Sequence, residues 1–380
     1  MEYKYNSEDV LWAKKIADRL NEKEKIVAER NEKKIPYLTK NGIFDDWSDK
    51  EHVCWWTNGF YGGMLWQLYH GYKEDIYKKN AKWIEEKLDE NLMNYMEMDH
   101  DSGFKWLLTS VASYKISGDK ESKNRSMLAA GNLAGRINKE AGLIRAWNDE
   151  DTGDTAGWAI IDCMMNLPLL YWASETTKDP RFCHIAKCHA DHAIKAFVRE
   201  DGSVNHIVCF DPQTGKIIKS LGGQGMKEGS SWTRGQSWAL YGFTLSYIHT
   251  GDRKYLETAK KVAEYVISQI PEDGIVPVDF CQEKECDWED DTASAIFACG
   301  LLELEKHVSQ DEKEKYHKVA MLLLKTLTEK RCNWNEDTDY LLEKCSAAYN
   351  DENHNFTIIY GDYYYIEAIF KLAGKELFLW

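Results

Sequence analysis

A helix that is apolar on every side has to be covered on every side. This chain carries six such segments: WWTNGFYGGMLWQLY (55–69), DSGFKWLLTSVASY (101–114), TAGWAIIDCMMNLPLLYWA (155–173), TRGQSWALYGFTLSYI (233–248), DTASAIFACGLLELE (291–305) and GDYYYIEAIFKLAG (361–374). Six more segments share the 3.6-residue period but keep one charged face, at 8–30, 75–93, 120–138, 180–198, 252–269 and 311–329. The first kind belongs inside and the second outside. Their alternation along the chain predicts an all-α (α/α)6 barrel, six inner helices ringed by six outer ones. No linker-like Pro/Gly/Ser stretch divides the chain, so residues 1–380 are expected to form one domain.

The turns repeat a single logic. In YKISGDK, YWASETTKDPRF and YIHTGDRKYLETA an aromatic-rich helix ends, a Gly/Asp turn supplies a left-handed cap, and an N-cap opens the next helix. One stretch, 202–221, reads instead as a β-hairpin. In a closed ring the loops that enter the inner helices gather at one end. Their polar and aromatic clusters are Trp55–Trp56, Asp99–Asp101, Trp147–Thr155, His206, Gln224–Arg234, Asp287–Asp291 and Gly361–Tyr364.

Charge and composition remove several classes. A formal net charge of -15 leaves no basic stripe for a nucleic acid. No apolar run approaches the roughly 18 residues a membrane span needs, and the N-terminus has no basic-then-apolar signal. The 10 cysteines sit mostly as small apolar residues inside helical patterns, which suits a reducing cytoplasm. No metal is expected, because in CHIAKCHADH (183–192) the cysteines diverge by about 140° on a helix and match no common ligand spacing. The 15 tryptophans and 21 tyrosines lie largely beside Gly, Asp, Asn and His, a pattern that suits either core or platforms for sugar rings.

Asp162 stands in an apolar run between Ile161 and Cys163, where a carboxylate must be paired, protonated or facing a cavity. Burial would raise its pKa and keep an acid available near neutrality. Asp101 falls at the N-cap of the second inner helix, where capping alone explains an aspartate, yet it shares a tryptophan-rich mouth with His100. Arg234, in the first turn of the fourth inner helix, reads equally as a fork for a ligand carboxylate and as the partner of a neighbouring acid. The acids at 287–291 and 149–154 suit helix N-termini.

Four stretches, HDSGF (100–104), WAIIDCMMNLPLLYWA (158–173), SSWTRGQSWALYG (230–242) and YGDYYYIEAI (360–369), resemble in consistent order the unsaturated glucuronyl hydrolases, family 88 of the glycoside hydrolases. The resemblance implies an (α/α)6 barrel, a cytoplasmic location and no cofactor. The substrate it implies is a lyase-made oligosaccharide carrying a 4,5-unsaturated uronic acid at its non-reducing end. It assigns catalysis to Asp162 and Asp101, and substrate contact to Trp55, His100, Trp147, His206, Gln224, Arg234 and Trp238. In the implied mechanism Asp162 protonates C4 of the vinyl ether and its carboxylate then activates the water that adds to C5. Asp101, supported by His100, holds a ring hydroxyl and tunes Asp162.

One departure bears on the substrate. Relatives acting on sulfated fragments carry Ser-x-x-Ser-x-Lys before the last inner helix, whereas here Ser346 is followed by Tyr349 and Asp351, with no Lys or Arg between Cys345 and Gly361. Unsulfated substrates are therefore expected. The alternatives are an unsaturated rhamnogalacturonyl hydrolase, a sugar epimerase or a non-catalytic oligosaccharide binder on the same barrel. The chain is expected as a monomer or homodimer.

Overall fold

The computed structural model describes residues 5–148 and 155–380. Twelve helices alternate outward and inward along the chain, and we number them α1–α12. The odd-numbered, outer set is α1 (Ser7–Arg30), α3 (Asp75–Lys87), α5 (Lys120–Gly135), α7 (Arg181–Phe197), α9 (Arg253–Gln269) and α11 (Gln310–Lys330). The inner set is α2 (Phe60–Tyr72), α4, α6 (Leu167–Thr177), α8 (Thr233–Thr250), α10 (Asp291–Leu304) and α12 (Ile359–Ala373). Helix α4 is built from Ser102–Trp106, a π turn Leu107–Val111 and Ala112–Ser117. Each inner helix packs on the next, and α12 closes the ring against α2. The (α/α)6 barrel read from the periodicity is the fold. Among the described residues no helix is long and apolar enough to cross a membrane.

The turns behave as their residues dictate. Five inner helices end on a left-handed residue: Lys73, Gly118, Lys178, Gly251 and Gly374. Asp119 and Asp252 then cap α5 and α9, and Ser309 with Glu312 forms a capping box on α11. Down the barrel axis the inner helices contribute aromatic rings in mutual contact. Phe104 touches Phe60 and Trp238 at centroid distances of 5.3 and 5.1 Å, and Tyr364 lies flat on Trp380 at 5.9 Å. These rings close the barrel below its mouth.

One stretch departs from the reading above. Helix was expected over 155–173, but Trp158–Ile160 is a strand, Ile161–Met165 a 3-10 turn, and α-helix begins only at Leu167. The strand (β1) pairs antiparallel with β2 (Ile207–Phe210), which continues through the expected hairpin into β3 (Ile217–Leu221). A short apolar run fits a buried strand as well as a buried helix, and pairing with the hairpin decides the matter here.

Glu24 of α1 is buried with neither carboxyl oxygen hydrogen-bonded. Burial holds its pKa up at about 8, against 4.5 for the free side chain. The folded state therefore binds this proton more tightly than the unfolded chain. The associated stability is complete below about pH 4.5 and is lost as pH rises through 8. Glu24→Gln is expected to raise the melting temperature at pH 8 by roughly 2 °C or more and to leave it nearly unchanged at pH 4.5, as measured by thermal denaturation.

Candidate active site

The loops entering the inner helices surround a cavity of about 630 Å³. Seven of the nine residues singled out from the sequence line it: Trp55, His100, Asp101, Trp147, Asp162, His206 and Gln224. Trp55 stands 40% exposed at the rim, edge-on to Tyr37 and tilted against Trp47. Trp147 packs against Trp158 at 6.0 Å. The acids between Asp149 and Asp154 lie outside the described residues.

The three-stranded sheet puts Asp162 opposite His206. Ile160 pairs with Ile207, and the Ile161 N–H donates to the His206 carbonyl at 3.1 Å. The next residue, Asp162, then faces the imidazole, with Oδ1 3.6 Å from Nε2. His206 Nδ1 accepts the Gln224 N–H at 3.0 Å, which leaves the ring proton on Nε2, toward the carboxyl. That approach requires Gly223, at φ +58°, where a Cβ would lie 2.1 Å from His206 Nδ1. Burial, reinforced by Arg234 and His100, pushes the His206 pKa down to about 3, so its ring is neutral. The Asp162 carboxyl moves the other way, to about 7, because burial outweighs the pull of Arg234. Its side chain is 15% exposed, and it stands in the 3-10 turn that follows β1 rather than inside the α-helix the sequence suggested.

Asp101 holds the N-cap position of α4, but its side chain makes no cap bond. The N–H of Phe104 in that first turn goes instead to Asn166 Oδ1 at 2.9 Å. The same Asn166 amide donates from Nδ2 to Asp101 Oδ1 at 3.1 Å. Close approach of these two segments depends on Gly103, where a Cβ would fall 2.5 Å from Asn166 Cα. The other Asp101 oxygen is 3.4 Å from His100 Nε2. Burial raises the Asp101 pKa well above the carboxylate range, and the Asp99 and Asp162 carboxylates add to it. His100 is held near 4 by burial. Asp99, to which the sequence assigned no role, accepts the Asp101 N–H at 2.9 Å and itself lines the cavity.

Arg234 and Trp238 stand behind the wall. Arg234 Nη1 donates to Asp290 at 2.8 Å and to the Ser346 carbonyl at 2.6 Å, and Nη2 donates to the Ala347 carbonyl. The acid-partner reading is met by Asp290. Trp238 is fully buried against Phe104 and Tyr364 in the aromatic floor. No Lys or Arg lines the cavity among the described residues. Among the described residues the one cluster with metal-ligand reach is Asp49, Glu51 and His52, a turn none of whose residues lines the cavity and whose Asp49–His52 contact of 2.8 Å already pairs it.

Sequence reasoning missed Asn166 and Tyr37, and it read Asp351 only through the sulfate motif, not as a wall residue. Asn166 carried the same signal as Asp162, a polar side chain in an apolar run that has to be satisfied. Tyr37 and Asp351 sit in loops with no periodicity, and only the fold brings them to the wall.

The family model described as Glycosyl Hydrolase Family 88 matches residues 16–379. An unsaturated glucuronyl hydrolase of Bacillus sp. strain GL1 is 33% identical over 97% of this chain and 99% of its own length. An unsaturated chondroitin disaccharide hydrolase of Streptococcus pneumoniae is 32% identical over 86% of this chain and 83% of its own. The solved unsaturated glucuronyl hydrolase of Streptococcus agalactiae superposes with a TM-score of 0.89 at 28% identity, covering 100% of this chain and 95% of that one.

Because Asn166 both replaces the α4 cap and donates to Asp101, Asn166→Ala is expected to cost about 2 kcal/mol or more at any pH, measured by urea denaturation. Asn166→Asp keeps the acceptor for Phe104 but sets a second carboxyl against Asp101. The folded-state pKa of such a pair is raised, so this variant should approach wild-type stability at pH 5 and lose it progressively toward pH 8.

Proposed function

The chain belongs to glycoside hydrolase family 88, and from that membership we infer that its cavity removes 4,5-unsaturated uronic acid from the non-reducing end of lyase-generated oligosaccharides. The observation that carries this reading is the Asp162 carboxyl, poised at a pKa of about 7 on the wall of a tryptophan-rimmed cavity, facing a neutral histidine.

The chemistry follows from that poise. The substrate is a vinyl ether, C4=C5 beside the ring oxygen. Protonated Asp162 gives its proton to C4, and the positive charge that builds at C5 is shared by the ring oxygen. The carboxylate so formed takes a proton from a water that adds to C5. The resulting hemiketal opens, and the hemiacetal exposed at C1 releases the remaining sugar. One group serves as acid and then as base, which works best with a pKa near the working pH. A charged His206 would hold Asp162 ionised, and the neutral ring avoids this while keeping an N–H beside the carboxyl. Asp101, kept neutral by burial and fixed by Asn166, is suited to donate to a ring hydroxyl, with His100 behind it.

The substrate carboxylate is then received by neutral donors such as Gln224 rather than by Arg234. Arg234 instead ties the 345–357 loop to α8. Trp55 and Trp147 offer ring faces to the sugar. The absence of a lining cation, with Tyr349 and Asp351 at the Ser-x-x-Ser-x-Lys positions, supports a preference for unsulfated fragments. Residues 1–380 act as one catalytic domain in this reading. The 10 free cysteines support a reducing, cytoplasmic setting.

Turnover is read directly as loss of the ultraviolet absorbance of the C4=C5 enoate. Asp162→Asn is expected to lower kcat by about 10³-fold while substrate still binds. The wild-type rate should fall on the alkaline side with a midpoint near the Asp162 pKa of about 7, since the acid must be protonated to act. An unsulfated disaccharide should be turned over faster than its 6-sulfated counterpart, and the reverse order would overturn the assignment of the 345–357 loop.

A further inference from the structure

After α12 the segment 375–380 turns back into the ring and climbs it. Glu376 pairs with Lys371 near the end of α12, whereas Trp380 meets Glu367 and Tyr364, closer to that helix's start. Three side chains pin the segment. Gln67 of α2 exchanges two hydrogen bonds of 2.8 Å with the Leu377 backbone. Lys115 of α4 donates to the Phe378 and Leu379 carbonyls at 2.9 and 3.2 Å. Lys371, buried and bonded to Glu303 of α10 at 2.8 Å, takes Glu376 as a further carboxylate. Trp380 itself is buried, and its N–H donates to Glu367 at 2.7 Å. Its ring lies flat on Tyr364 and meets Phe104 and Tyr241 edge-on at 6.2 and 6.3 Å. Two of these rings lead to the catalytic acids. Phe104 belongs to the turn that Asn166 fixes beside Asp101. The Tyr364 phenol is pushed well above its ordinary range by burial first, then by Glu367, Cys299 and Asp162, so it lies within the field of the catalytic carboxyl.

We propose that Trp380 is a positioning residue for the reaction: seated under Phe104 and Tyr364, it seals the barrel floor against water below the catalytic carboxyl. The inference rests on the reading of Asp162 given above. A carboxyl raised by burial stays raised only while water is kept from every side of it. The titratable and charged groups around Asp162 are Asp101 on α4, His206 before β2, Arg234 on α8, Tyr364 on α12 and the adjacent Cys163. None of them changes when Trp380 is replaced, so a change in Asp162 then reports on water. Removing the indole would open a space bordered by Glu367 and Tyr364. In the same floor the Tyr364 hydroxyl and the Trp238 N–H are buried without a hydrogen-bond partner among the described residues. Cavities that stay empty are apolar, whereas one offering several polar partners takes up water. Water there would favour the ionised form of Asp162 and withdraw the acid that the first step needs.

The test follows kcat/KM of the full chain on an unsaturated disaccharide from about pH 5 to about pH 9, by loss of the enoate absorbance. For Trp380→Ala the alkaline midpoint is expected about one pH unit below that of the wild type. Activity then falls about tenfold at about pH 8 but less than about twofold at about pH 5, a pattern that a plain loss of folded protein does not give. Trp380→Phe refills most of the space and should bring the midpoint back. Trp334→Ala removes a ring that carries the Arg19 guanidinium at 4.0 Å, away from the floor, and should lower the melting temperature without moving the midpoint. Where Trp380→Ala yields too little folded protein, Lys115→Met unpins the same segment and should move the midpoint in the same direction by a smaller amount. An unmoved midpoint in Trp380→Ala, or in Lys115→Met where the first variant does not fold, makes Trp380 a packing residue only and overturns the proposal while leaving the catalytic reading intact. No loss of absorbance with the wild-type protein overturns the catalytic reading and this role with it.

Discussion

The antiparallel pairing of β1 with β2 is the interaction on which the geometry of the mouth depends. Three ladder positions, Trp158 with Cys209, Ala159 with Val208 and Ile160 with Ile207, set the register. In a strand a slip of one residue turns every side chain to the opposite face. Such a slip would carry Asp162 away from His206 and leave the cavity without its poised carboxyl. The same hairpin delivers Gln224 to the back of the imidazole, so a single small sheet fixes the acid, its neighbour and the tautomer of that neighbour. The surrounding helices supply a rigid, buried frame, and the sheet supplies aim.

Burial has an electrostatic consequence. The wall carries Glu97, Asp99, Asp101, Asp162 and Asp351 with no lining Lys or Arg among the described residues, and the Arg234 guanidinium behind it is held by Asp290 and two carbonyls. Two of those carboxyl groups are pushed upward in pKa by burial, and both histidines are pushed downward. Two of the acids are thus held toward their protonated form without a base charged beside them. A group held out of its ordinary ionisation range weakens the fold it sits in, and the firmly capped helices and aromatic floor offset that cost.

The barrel was legible because its signal is long-range and redundant: twelve periodic segments, with Gly and Asp marking their junctions. Helix ends were legible to within a few residues for the same reason, since Gly118, Gly251 and Gly374 supply their caps by chemistry local to the chain. The failures share the opposite character. Whether WAII is strand or helix depends on a hairpin some fifty residues on, and Asp101 looked like a cap because its substitute, Asn166, comes from another segment. The acid that pairs with Arg234 could not be named until the fold placed Asp290 beside it. Asp162 was legible as an anomaly, a charge among apolar neighbours, even though the element assigned to it was wrong.

The closed aromatic floor has a topological meaning. Phe60, Phe104, Trp238 and Tyr364 leave the barrel no rear exit, so the mouth serves as both entrance and exit. A blind passage admits the end of a polymer and never its middle. A ligand that enters such a passage must leave by the way it came.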